Sequence, residues 1–243
     1  MASSAQDPTL FDARFHLEAV LSYVMAWAGQ RNLHLFDMFS GEAQATRTFT
    51  KYGFRAGHFD LAEGDDITDR RGFFRCLDLL LSLVVGGLVL LGPPCSLWVY
   101  MSSSVHRRSA RNKFVGDTSK YVVRSANCVV RNTVLLLAIG HWRGLWFLLE
   151  QPGSSKMEKY PFLQLLVEEL CLTRVYTWMR AYGHPLPKPS YLLSNLNSST
   201  SLKRVWSKQR DLLRKARGSK ISGPVCLFIC LWGALGLGIN LRL

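Results

Sequence analysis

The stretch GGLVLLGPPCSLW, residues 86–98, decides the fold. Its left half is oily enough to belong to a membrane helix, and its right half breaks at two prolines and a cysteine. The whole apolar run from Cys76 to Gly92 is shorter than the ~20 apolar residues that a bilayer span needs. It also carries Asp78 and is interrupted by Gly86 and Gly87. A core helix turning into a core strand satisfies all three features. The spacing predicts a helix over Arg71–Val84, a stop at Gly86-Gly87 and a buried strand over Leu88–Leu91. Pro93-Pro94 then end the strand and leave Cys95 at its carboxyl end.

Working outward, the same alternation recurs. Phe11–Trp27 has helical spacing. Leu33–Phe36 reads as a strand, Ser40-Gly41 as a turn and Glu42–Tyr52 as a helix. FRAGHFD reads as a second short strand, and EGDDITD as an acidic turn around a very short one. Downstream, Ser119–His141 is helical, GLWFLLE a strand, Lys156–Leu170 a helix with Pro161 resetting its start, LTRVYTWM a strand and KPSYLLSN a final strand. Strands alternating with helices predict an α/β fold, a mostly parallel sheet with helices on both faces. The expected organisation is an N-terminal helix over 1–30, the α/β domain over 31–195, a basic linker or helix over 196–220 and a hydrophobic tail over 221–241.

Ligands of such sheets gather at the carboxyl ends of the strands. There the sequence places Asp37 and Gly41, Asp60, Asp66, Pro93-Pro94-Cys95 and Glu150-Gln151-Pro152. A carboxylate after a strand also serves as a helix cap, and a cysteine beside prolines also serves as a small buried residue. Together the set points to one crevice. Gly41 permits a tight turn beside a helix amino-terminus. Asp60 follows 19 residues later, the offset at which an acid reaches ribose hydroxyls in nucleotide folds. FSGEAQA holds a single glycine, which disfavours NAD.

The chain has 243 residues and a formal net charge of +13, from 30 Lys/Arg and 17 Asp/Glu. Residues 202–243 hold nine Lys/Arg against the single acid Asp211. A basic body suits a polyanion or is simply a solvated surface. The six cysteines form no Cys-x-x-Cys pair and have no histidine cluster nearby, which disfavours zinc and a disulfide framework and fits an intracellular compartment, nucleus or cytoplasm. The start shows no secretory pattern.

DMFSGEAQATRTFTKYGF, GDDI, GPPCSLW, LLEQPGSS and YGHPLPKPS resemble, in order and approximate spacing, the motifs of cytosine-5 methyltransferases. The chain is also similar to a group of protist proteins with Pro-x-Cys-Ser, Leu-Glu-Gln-Pro and Lys-Pro-Thr-like motifs. The resemblance covers about Leu33–Asn195. It implies a Rossmann-like S-adenosylmethionine-binding fold acting on DNA or RNA. By this resemblance Asp37, Phe39 and Gly41 match the first cofactor motif, Asp60 would hold the ribose and Asp66 the adenine amino group. Cys95 matches the nucleophile, and Glu150 the acid that grips the cytosine ring. The loop VHRRSARNK offers His106, Arg107, Arg108, Arg111 and Lys113 as a phosphate-gripping flap or an ordinary solvated loop. Lys188 is the one cation kept from the late motif. The chain departs from the pattern at Ala43, Ser96, Gln151-Pro152 and Leu186, and it lacks length for a separate target-recognition domain.

Ile221–Leu241 is uncharged, long enough to span a bilayer, and follows eight Lys/Arg between Lys203 and Lys220. It is either a membrane anchor or a segment that packs on protein. Three functions stay open: a methyltransferase, an inactive nucleic-acid-binding or scaffold protein of that fold, and a small integral membrane protein.

Overall fold

The computed structural model describes residues 9–182, 184 and 186–203. The tail, and the basic linker from residue 204 onward, lie outside the described residues. In chain order the elements are α1 (Leu17–Ala26), β1 (Leu33–Met38), α2 (Gln44–Lys51), β2 (Ala56–Phe59), α3 (Arg70–Leu81), β3 (Leu83–Leu91), α4 (Ser103–His106), α5 (Tyr121–Trp142), β4 (Trp146–Pro152), α6 (Pro161–Glu169), β5 (Thr173–Trp178) and β6 (Pro189–Ser194).

Six strands form one sheet in the order β2-β1-β3-β4-β6-β5. β1 pairs in parallel with β2 and β3, and β3 with β4. β6 is antiparallel to both β4 and β5. The fold is therefore α/β with a mixed sheet, the last strand inserting between its two predecessors.

Strand residues alternate between two cores, as the period of a strand dictates. Leu35, Leu88, Leu148 and Leu192 face one side, in a core shared with Ala45 and Phe49 of α2, Tyr182 and Leu202. Phe36, Val89, Phe147 and Leu193 face the other, beneath Phe73 and Leu77 of α3, Leu136 of α5 and Leu163 of α6. Strands buried on both faces read as continuous apolar runs. α5 is long and apolar enough to cross a membrane, and 44% of its apolar window is buried. It packs against α3 and α6, which makes it a core helix here.

Two expectations need correction. Gly86-Gly87 does not stop a helix. α3 ends at Leu81, and Gly86, at φ +76°, sits inside β3. Pairing with β1 jumps there from Leu33–Leu83 to Leu35–Leu88, so the glycines absorb a bulge. The acidic turn contains no strand; it follows a 3₁₀ turn over Leu61–Glu63 that Asp60 caps. Described residues on either side of the sheet also pack onto it. Asn132 of α5 donates to Phe11 O and Ile67 O and accepts from Ala13 N, which docks the N-terminal segment. Asn197–Leu202 forms a 3₁₀ turn whose Leu202 is fully buried, its carbonyl accepting from Thr177 Oγ1 and from the Tyr182 hydroxyl.

Candidate functional site

The chain leaves β1 toward β2, then crosses back over β1 to β3 and β4. Strand order reverses between β1 and β3, and their following loops part in opposite directions. A crevice opens outside the carboxyl ends at such a switch point. The loops there carry Gly41, after β1, and Cys95, after β3. Glu150 lies near the carboxyl end of β4, the next strand.

The loop after β1 is tightly wound. Phe39, Gly41 and Ala43 all adopt positive φ, at 61°, 52° and 48°. Only glycine takes that conformation without strain. The carboxylate of Asp60 holds the loop: Oδ2 accepts from Gly41 N at 2.8 Å while Oδ1 accepts from Ala62 N at 2.9 Å. Asp60 thus ties the ends of β1 and β2 together.

Asp37 lies beneath this loop, only 5% exposed. Burial pushes its carboxyl up to about 6, helped by the negative charge of Asp60 and opposed by hydrogen bonds from Thr46 N and Oγ1 and by His58. Between pH 3.8, the ordinary value, and about 6, the native state keeps a proton that the unfolded chain has lost. This carboxyl therefore favours the folded state below pH 3.8, and that contribution is lost as pH rises through 6. Asp37→Asn should flatten that slope and raise stability at pH 8 by about 2 kcal/mol, since each tenfold change in proton affinity is worth ~1.4 kcal/mol and the amide recovers part of the total. Denaturant titrations at pH 4.5 and pH 8 check this; an equal effect at both values would refute it.

A cleft of about 260 Å³ has Asp66, Leu61, Pro94, Ser96, Leu97 and residues of α5 among its walls; Gly41, Asp60, Cys95 and Glu150 do not line it. Asp66 Oδ1 accepts from Thr68 N and Oγ1, both at 2.8 Å, and no hydrogen bond from the described residues engages Oδ2. The Asp66 segment owes its place to Gly72: a Cβ there would stand 1.9 Å from Asp66 O.

Cys95 is half-buried, in a turn closed by Trp98 N donating to Cys95 O at 2.8 Å. Gln151, buried next to Glu150, donates from Nε2 to Pro93 O at 2.6 Å and accepts from Ser155 Oγ at 2.9 Å. The Pro-Pro-Cys segment is thus bolted to the end of β4. Glu150 accepts from Ser190 Oγ at 2.5 Å and lies 3.2 Å from Lys188 Nζ. The inserted strand β6 and the residue just before it bring the two partners, since Leu192 of β6 pairs with Glu150.

The basic flap divides. Arg107, Arg111 and Lys113 are exposed, with Arg107 3.7 Å from Asp117. His106 and Arg108 are buried, at 0% and 2% exposure, so neither is available to a phosphate. The left-handed turn at Arg107, φ 50°, reverses the chain and sends Arg108 inward. His106 Nδ1 accepts from Arg108 N, so Nε2 carries the proton and donates to Val99 O; burial holds its pKa below the ordinary histidine value. Lys188 is not a free phosphate ligand either, being paired with Glu150.

Sequence reasoning missed Gln151, Ser190, Trp98, Arg108 and Gly72 as positioning residues. The signal for Gln151 and Ser155 was present, because polar side chains just after a buried strand need partners once they are buried themselves. Among the described residues no group of His, Cys, Asp and Glu is placed to hold a metal. No protein-family model matches the chain, and no curated protein matches it either.

Proposed function

We propose that the chain is a Rossmann-like, S-adenosylmethionine-dependent methyltransferase acting on carbon 5 of cytosine in nucleic acid. The observation that carries this reading is the shared cleft. Asp66, the acid expected to meet an adenine amino group, lines it together with Pro94 and Ser96, the two neighbours of Cys95. Its volume is below the ~300–1,000 Å³ usual for whole-ligand pockets, which suits the adenine part of a larger cofactor. Leu61, Leu97, Val122 and Val129 offer flat-ring contacts, and the free oxygen of Asp66 can accept from an amino group.

In this reading Asp60, Asp66 and the Phe39–Gly41 turn hold the cofactor, with Asp37 supporting that turn from below. When bound, S-adenosylmethionine supplies an electrophilic methyl group. Cys95, as thiolate, adds to carbon 6 of cytosine and makes carbon 5 nucleophilic. Glu150 grips the ring nitrogen and assists the addition by proton transfer. After methylation the carbon 5 proton leaves to a base, the carbon 6–sulfur bond breaks, and the thiolate is regenerated. The target base must be extruded or single-stranded to reach Cys95. Arg107, Arg111 and Lys113 supply exposed cations for its phosphates.

A second reading, an inactive nucleic-acid-binding or scaffold protein, is favoured by one observation. Glu150 is already occupied by Lys188 and Ser190, a partnership that suits a structural strap. Calorimetric titration of the full chain with S-adenosylmethionine separates the two. Saturable binding is expected, with Asp66→Ala weakening it by ~10-fold, the scale of one hydrogen bond to a charged group. Absence of binding by the wild-type protein would leave the scaffold reading.

A further inference from the structure

Arg108 is an arginine without an acid. No ion pair among the described residues includes it, although it is 2% exposed. Its guanidinium is spent on neutral oxygens instead. Nε donates to Leu97 O at 2.9 Å; Nη1 donates to Phe114 O and Val115 O, both at 2.9 Å, and to Asn127 Oδ1 at 2.8 Å. Its central carbon lies 3.4 Å from the centroid of the Trp98 ring. Nη2 is buried with no partner among the described residues. Burial pushes the guanidinium down to about 10, so it stays charged at neutral pH.

Burying a charge without a counter-charge is costly, so net stability is a poor account of this residue. The segments it joins give a better one. Leu97 and Trp98 belong to the cysteine turn, Phe114 and Val115 directly follow the basic flap, and Asn127 sits on α5. Around the same knot, Lys156 Nζ donates to Arg108 O at 3.1 Å and Lys156 N to Trp98 O at 2.8 Å, which brings in the segment after β4. Ser102 Oγ closes on Ser96 O from the solvent side. A planar fork can meet several carbonyls at fixed angles while its face lies on an indole; a lysine ammonium cannot.

We propose that Arg108, stacked on Trp98, is the positioning residue that sets where Cys95 stands at the crevice. That Cys95 needs holding for catalysis rests on the methyltransferase reading; the hold itself does not.

The test uses the full chain and reads thiol chemistry. Iodoacetamide modification of each cysteine is followed by peptide mass spectrometry in the wild type, Arg108→Lys, Trp98→Phe and Leu166→Ala. The last variant loosens a buried position on α6, remote in sequence from the turn. Exposed Cys171 is the reference, and buried Cys76 and Cys128 report global unfolding. Arg108→Lys and Trp98→Phe should speed Cys95 modification by ~5-fold or more relative to Cys171, as local opening of the turn exposes it. Leu166→Ala should leave that ratio unchanged, with Cys76 and Cys128 protected throughout. An unchanged or lower ratio in both turn variants overturns the proposal, as does an equal rise in Leu166→Ala. If Arg108→Lys unmasks Cys76 and Cys128, Trp98→Phe alone decides by the same criterion. Failure of the methyltransferase reading would appear separately, as no cofactor binding with the Cys95 result intact.

Discussion

A cytosine substrate carrying fluorine at carbon 5 should be trapped on Cys95 as a covalent adduct, and Cys95→Ser should form none. Thiolate addition at carbon 6 and methyl transfer to carbon 5 both proceed on such a substrate. Release does not, because it needs a proton at carbon 5, and fluorine cannot leave as one. The adduct should require S-adenosylmethionine, since the ring stays able to expel the thiolate until carbon 5 is alkylated. A serine hydroxyl is a far weaker nucleophile at neutral pH, so the substitution removes the bond-forming atom while changing little volume. Glu150→Gln should slow trapping by roughly 10²–10⁴-fold, the range of lost general-acid help. The amide still accepts from Ser190, so the fold around β6 should survive. Denaturing electrophoresis of labelled DNA and RNA with the full chain reads all three proteins. If S-adenosylmethionine binds and neither nucleic acid is trapped, Cys95 is a strand cap held by Gln151 and Arg108, and the scaffold reading takes over.

The parts of this site that were legible in sequence are those set by local rules. β1, β3 and β4 are buried on both faces, so their apolar runs stand out, and the acids, glycine and cysteine at their ends follow directly. The helix before β3 was legible from its spacing, but its end was not. A glycine pair terminates a helix and makes a strand bulge for the same conformational reason, and only the pairing of Leu33 and Leu35 with β3 distinguishes them. The insertion of β6 between β4 and β5 was illegible, since nothing in PSYLLS records its neighbours. That insertion brings Lys188 and Ser190 to Glu150, so the ion pair at Glu150 escaped with it. The flap failed differently. HRRSARNK looks uniformly solvated, and what draws Arg108 inside is mainly the backbone carbonyls of Leu97, Phe114 and Val115, joined by the Asn127 side chain. Backbone acceptors of that kind leave no trace in residue identity.

Gly72→Ala should cost more stability than its single methyl group suggests. The residue lies in the first turn of α3, where its N–H donates to the Asp69 carboxylate at 3.1 Å, and its backbone is ordinary helix. Alanine is the better helix former by up to ~1 kcal/mol, so propensity alone predicts stabilisation. Packing predicts the reverse. The added Cβ would stand 1.9 Å from Asp66 O and 2.6 Å from Asp66 C, both backbone atoms that no rotamer change can move aside. Either α3 shifts away from its buried contacts at Phe73 and Leu77, or the Asp66–Thr68 turn is pushed outward. Overpacking typically costs ~1–3 kcal/mol, and a clash against backbone belongs at the upper end, about 3 kcal/mol net. The two routes of relief differ in a second readout. A displaced Asp66 turn deforms the cleft wall, so S-adenosylmethionine affinity should fall by ~10-fold even where the protein remains folded. Chemical denaturation gives the first quantity and calorimetry the second. Stability equal to or above that of the wild type would mean that α3 and the Asp66 turn separate freely, and the proposed cleft geometry would fall with it.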